Sequence, residues 1–180
     1  MWGGFPKVIR QVFPNAQIII DRFHVMKMVN EALNDLRKKS GVKIKNSRYL
    51  LLKNGADLSE NQLEELREIL SLSPTLNIAY EMKENLRCIY EGCRTPKSGR
   101  KKIEKWLRHA RILWPKLCQT ISRHIKEICN YFISRLTNGF IEGVNNKIKL
   151  IKRQGYGFTN MKNFRDRLIA AFRCRPSSAP

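Results

Sequence analysis

One stretch of this sequence, Ala16–Asp21 (AQIIID), has the pattern of a β-strand, and a β-strand cannot stand alone. Three consecutive isoleucines between a turn and an acid read as a short buried strand of β-branched side chains. Its backbone N–H and C=O groups need a ladder. Every other periodic segment is helical, so the partner of residues 16–21 is expected outside this sequence or on another chain. The expected fold is therefore mostly α with a small α/β remnant. Open strand edges predict a chain prone to aggregate or unable to fold alone.

The helical segments are bounded by recognisable signals. Phe5, Val8, Ile9, Val12 and Phe13 recur at helical spacing, with Pro6 in the first turn and Pro14–Asn15 at the end. Val25, Met28, Val29, Ala32, Leu33 and Leu36 form the next stripe, stopped by Gly41. Ser59 and Gln62 fit a capping box ahead of Leu63, Leu66, Ile69 and Leu70. Ser73 and Pro74 open a helix to Tyr90. Residues 91–99 (EGCRTPKSG) have loop composition and mark a soft boundary. Further helices are expected at 100–113 and 116–135, broken at Pro115, and at 159–172 on Met161, Phe164, Leu168 and Phe172. The closing RPSSAP reads as a frayed tail.

Charge narrows the partner. Thirty-five Lys and Arg against 15 Asp and Glu give a net charge of +20, more than solubility requires. A polyanion is implied, nucleic acid before a ribosomal or membrane surface, because the 42% apolar residues fall in helical patterns rather than flanking a basic tail. The five cysteines are odd in number and form no C-x-x-C pair. They signal neither a disulfide framework nor a zinc site, and read as reduced core thiols. His109 and His124 lie near Cys118 in sequence but on other helical faces. No signal peptide is legible, and no run approaches the roughly 20 apolar residues of a membrane span. A cytoplasmic protein without a membrane partner is expected.

TNGFIEGVNNKIKLIKRQGYGF, residues 137–158, holds one acid at the head of a helix whose other charges are all positive. At about 100° per residue, Ile141, Val144, Ile148 and Ile151 fall within an arc of about 80°, the buried stripe. Glu142, Asn145, Asn146, Lys149 and Arg153 cluster on the opposite side, with Lys152 beside them. Such a face can hold a divalent ion at one end and phosphates along its length. An acid near a helix N-terminus also complements the macrodipole, for about 0.3–1 kcal/mol, with the basic face merely solvated. Both readings stand on the residues alone. Beyond the helix, Gly155 fits an αL cap, and Tyr156 is either part of a structural turn or a platform that stacks on a base or sugar.

The blocks FPNAQIIIDRFHVMKMVNEALNDLRKK (13–39) and TNGFIEGVNNKIKLIKRQGYGFTNMKNFRDRL (137–168) together resemble the bacterial DDE-type insertion-sequence transposases of the ISL-three family. The resemblance covers nearly the whole chain. It implies a truncated ribonuclease H-like transposase catalytic domain with an all-helical insertion, in which two Asp and one Glu hold two Mg²⁺, or Mn²⁺, ions. Glu142, in the match to N-G-x-x-E-G-x-N-N, would be the final catalytic carboxylate and metal ligand. Asp21 and His24 match a supporting D-x-x-H element.

The resemblance further implies residues 1–24 as a helix-strand remnant of the core and 25–135 as the helical insertion. Residues 136–173 would be the C-terminal helices carrying the Glu, and 174–180 a disordered tail. Both catalytic Asp residues are expected upstream of residue 1. One carboxylate cannot hold two ions against hydration and phosphate, so the chain alone is expected to be inactive and to bind metal weakly. Asp21 is a candidate replacement ligand, or simply the cap of the following helix. The expected partners are DNA, contacted by Asn145, Asn146, Lys149, Lys152, Arg153 and Tyr156, and a second copy of the chain or an intact transposase. The alternative function is a non-catalytic DNA-binding or regulatory remnant.

Overall fold

The computed structural model describes residues 5–135 and 139–173. The helices are α1 (Phe5–Val12), α2 (Arg22–Lys39), α3 (Ser47–Leu52), α4 (Glu60–Ser71), α5 (Pro74–Gly92) and α6 (Pro96–Ala110). They are followed by α7 (Pro115–Arg123), α8 (Ile125–Cys129), α9 (Tyr131–Ser134), α10 (Gly139–Gln154) and α11 (Met161–Arg173). The chain divides between Leu136 and Thr137 into two compact units.

Side-chain caps start most of the long helices. The Phe23 N–H donates to Asp21 Oδ1 at 3.0 Å, which opens α2. Ser59 and Gln62 cap each other's backbone N–H groups at the head of α4, the reciprocal box read from the sequence. Ser73 and Thr95 cap α5 and α6, each followed by a proline in the first turn. Gly41, at φ +69, turns the chain after α2.

In the first unit α5 is the central helix, packed by α2, α4 and α6, while α6 also receives α7, α8 and α9. Val25, Val29 and Leu33 of the α2 stripe are buried against Leu76, Ala79 and Leu86 in one cluster with Leu50, Leu51, Ile103 and Ile121. At the other end Tyr90 stacks on Phe132, ring centroids 5.6 Å apart, with Tyr131 edge-on to both. In the second unit α10 and α11 pack together.

Several expectations need correction. No described residue belongs to a β-strand. Residues 16–20 belong to neither helix nor strand, and two of their backbone groups are bonded at a helix end instead of in a ladder. The Ile20 N–H donates to the Glu127 carbonyl at 3.0 Å, and Asn130 Nδ2 donates to the Ile18 carbonyl at 2.8 Å. Ile20 is buried by this docking. The α/β remnant is thus replaced, among the described residues, by an all-helical arrangement, and the open sheet edge that predicted aggregation is absent from them.

Residues 91–99 are not a boundary. The connection between α5 and α6 is short, the two helices pack directly, and Gly99 lies inside α6. The expected helix 116–135 is cut into three at His124 and Asn130. α1 forms as expected, yet Val8, Val12 and Phe13 of its stripe are exposed. Cys93, Cys118 and Cys129 are core thiols, whereas Cys88 is exposed. No described helix is long and apolar enough to cross a membrane. Cys174 and the 174–180 tail lie outside the described residues.

Candidate functional site

The first turn of α10 contains Glu142 and no other acid, and its last turn contains Lys152 and Arg153. Glu142, Asn145, Asn146, Lys149 and Arg153 are all exposed, while Ile151 is buried and Val144 and Ile148 are half-buried. Helical spacing therefore sorts this helix as the sequence implied, with the side chain of Ile141 outside the described residues. Along the axis Lys149 stands about 10.5 Å from Glu142 and Arg153 about 16.5 Å. The acid occupies the end where the macrodipole favours it, and the cations occupy the end where it favours them. One face thus presents a carboxylate, two amides and two cations in sequence, with Lys152 at its edge.

Lys147, on the flank away from this face, has a different task. Its Nζ donates to the Ala171 carbonyl at 2.7 Å and lies 4.6 Å from the Phe172 ring centroid. It caps the last turn of α11 and helps to fix the rotational setting of α10. The sequence signal was available: Lys147 sits about 140° around the helix from Glu142. α11 itself starts on Asn160, whose Oδ1 accepts from the Lys162 N–H at 2.9 Å.

The end of α10 departs from expectation. The αL residue is Tyr156, at φ 50, and Gly155 is not in that region. The Gly157 N–H donates to the Lys152 carbonyl at 3.2 Å and the Tyr156 N–H to the Arg153 carbonyl at 3.0 Å. These two bonds form a Schellman cap with tyrosine where glycine is the usual choice. Gly155 is small for another reason: a Cβ there would meet Phe158 Cζ at 2.6 Å. Phe158 in turn packs on Phe164, centroids 4.9 Å apart. The Tyr156 side chain is fully exposed, at 101%.

Asp21 and His24 belong to the first unit. Asp21 is buried and caps α2, and the His24 N–H donates to the Asp21 carbonyl at 3.0 Å. The His24 ring meets Phe23 edge-on, at 5.8 Å between centroids. Asp21 and Glu142 are therefore placed in separate units. Among the described residues no group of three or more His, Cys, Asp or Glu side chains is arranged to hold a metal ion.

A family model described as Transposase, the ISL3 type of DDE transposases, matches residues 1–168. The chain belongs to the ISL-three transposase family. Both sequence blocks that carried the resemblance lie within the matched span, and the second ends where the match ends. The chain is 30% identical over 174 residues to the transposase for insertion sequence element IS1001 of Bordetella parapertussis, covering 88% of this chain and 43% of that protein. It is 29% identical over 186 residues to the transposase for IS1557 of Mycobacterium tuberculosis, covering 84% of this chain and 41% of that protein. This transposase-family chain thus spans about two-fifths of the length of these relatives. No solved structure matches it.

Proposed function

We propose that this chain supplies the last carboxylate and part of the DNA track of a DDE transposase that cuts and joins the ends of a bacterial insertion sequence. The observation that carries the reading is the face of α10: Glu142 exposed in the first turn, followed by Asn145, Asn146, Lys149 and Arg153 on the same side. Glu142 holds one oxygen-ligand position for a divalent ion, and the amides and cations hold the sugar-phosphate backbone beside it. Lys152 flanks the track, and Tyr156 stacks on a base or sugar where it ends.

Two-metal phosphoryl transfer needs ions about 3.5–4 Å apart, each held by several oxygens. The described residues do not fit that pair by themselves, because the face offers one carboxylate and no group of three or more His, Cys, Asp or Glu among them is arranged to hold a metal ion. The remaining ligands are proposed to come from a longer transposase, on a ribonuclease H-like core to which residues 1–24 contribute. Residues 25–135 are its helical insertion and 136–173 its Glu-bearing end. Asp21 serves this arrangement by setting the start of α2, not as a metal ligand. The 180 residues alone are then inactive in strand transfer.

That single carboxylate favours a second reading as well, a regulatory remnant that occupies DNA or pairs with an intact copy without cutting.

Strand-transfer assays with the purified chain in Mg²⁺ and in Mn²⁺ test the first reading. No joining is expected from the chain alone. Joining that disappears in Glu142→Gln would overturn the claim that the ligand set is incomplete. Duplex binding that is unchanged in Lys149→Gln/Lys152→Gln/Arg153→Gln would remove the DNA track. Adding the chain to an intact relative separates the second reading, which requires inhibition that depends on chain concentration.

A further inference from the structure

A second concentration of positive charge lies on α6, in the first unit, and the transposase reading makes no use of it. This helix of 15 residues contains Lys97, Arg100, Lys101, Lys102, Lys105 and Arg108 against a single acid, Glu104. α10 is less basic, with four cations against one acid, and Lys147 among those four is committed to a carbonyl.

The α6 charges are ordered, not scattered. Lys97, Lys101, Lys105 and Arg108 fall within an arc of about 80° along about 16.5 Å of helix. All four are exposed, and the opposite side, Gly99, Ile103, Trp106, Leu107 and Ala110, is buried. Glu104 stands at the margin of the stripe, where Arg100 Nε donates to its Oε1 at 2.8 Å and offsets it. Acids are concentrated elsewhere, as exposed Glu60, Glu64, Glu65 and Glu68 on α4.

This arrangement works against the isolated helix. Lys97, Lys101 and Lys105 are successive like-charge neighbours at four-residue spacing, which destabilises a helix. The first turn has no acid and contains Lys97, the wrong sign for the macrodipole. A solvated surface would intersperse both signs. An anionic partner removes both penalties. At the head of the stripe Thr95, Lys97, Ser98, Arg100, Lys101 and Glu104 line a shallow depression into which such a partner can settle.

The partner is a phosphate backbone, not an acidic protein. The exposed face of α6 offers no aliphatic residue and no Phe, Tyr or Trp to anchor a protein interface. Nucleic-acid interfaces are polar and cationic, as this one is. We propose that the α6 stripe is a second duplex-DNA contact of this chain, reading phosphates without reading sequence. It belongs to the first unit and does not depend on the α10 face.

The test is fluorescence anisotropy of the full 180-residue chain with a random-sequence duplex over a KCl series. Lys97→Gln/Lys101→Gln/Lys105→Gln is expected to reduce the slope of log K against log salt by about 2.7, or about 0.9 for each phosphate no longer neutralised. The effect should be equal for unrelated duplexes. A slope change under about one unit would overturn the proposal. An equal change in a charge-matched control, Lys43→Gln/Lys45→Gln/Arg48→Gln, would also overturn it, since net charge alone would then explain the effect. Polyglutamate binding abolished in the α6 variant, with the DNA slope intact, would instead assign the stripe to an acidic protein. The α10 triple variant is measured in parallel, so failure of one surface is read independently of the other.

Discussion

Lys83 Nζ donates to the carbonyl of Leu51 across 2.8 Å, and the lysine has no exposed surface. The same ammonium donates to the Lys53 carbonyl at 2.8 Å and pairs with Glu84 Oε1 at 2.7 Å. A cation on α5 therefore closes the C-terminal end of α3, 32 residues earlier in the chain.

Replacing it should be costly. Lys83→Met leaves two carbonyls and a carboxylate without their donor, so urea unfolding is expected to lose about 3 kcal/mol or more. Burial pushes the Lys83 ammonium down from its ordinary value of 10.5. As pH rises from that lowered value towards 10.5, the folded state releases this proton before the unfolded chain does, and native stability gains. The stability difference between wild type and Lys83→Met should therefore widen as pH rises towards 10.5. A difference that narrows over this range would contradict the burial of a charged lysine.

Cys129 titrates with the opposite sign. Burial pushes its thiol from 9.0 up to about 11. The unfolded chain loses that proton first, so the stabilisation is complete below pH 9 and declines as pH rises towards 11. Cys129→Ala removes the decline. By about pH 10 its stability deficit against wild type should shrink by about 1 kcal/mol relative to pH 8, read from matched denaturant melts.

Gly99 lies against the ring of Phe132, and a Cβ at this position would overlap the ring edge. Ordinarily Gly→Ala inside a helix stabilises by about 1 kcal/mol. Here Gly99→Ala is expected to destabilise by about 1–3 kcal/mol, because Phe132 is also stacked on Tyr90 and has little room to shift. Thermal melts of Gly99→Ala, Phe132→Leu and the double variant check the assignment. The double variant should be more stable than the sum of the two single losses predicts.

Tyr156 holds a backbone conformation that disfavours any residue with a Cβ, by about 1–2 kcal/mol. Tyr156→Gly should relieve this strain and raise the melting temperature, while weakening duplex binding if the exposed ring stacks on DNA. Higher stability with unchanged DNA affinity would leave the ring without the proposed role.

Local signals were legible where one residue decides one feature. The Ser59–Gln62 box, the Ser73–Pro74 start and the α2 stripe all appear as the sequence implied, because caps and helical periodicity act within a single turn or face. The polar face of α10 was legible for the same reason. What the sequence concealed was set by distant packing. Pro96 and Gly99 look like loop residues until Thr95 is seen as a cap and Phe132 as the neighbour that demands a glycine. Residues 16–20 look like a strand because β-branched side chains favour extended backbone, but the hydrogen-bond partners of Ile18 and Ile20 lie more than 100 residues away, on helix-end residues Asn130 and Glu127. The α6 stripe was missed because reading 91–99 as a loop split it across an apparent boundary.

The docking of residues 16–20 also sets an order of assembly. Joining Ile18 to Asn130 closes a loop of 112 residues, whereas the α2, α5 and α6 contacts form over shorter separations. Loop-closure entropy makes the long connection slow to nucleate, so the N-terminal segment should join last. Pulse-labelled hydrogen exchange during refolding should find the Ile20 amide protected after the amides of α5, and simultaneous protection would mean that the early helices already require their latecomer.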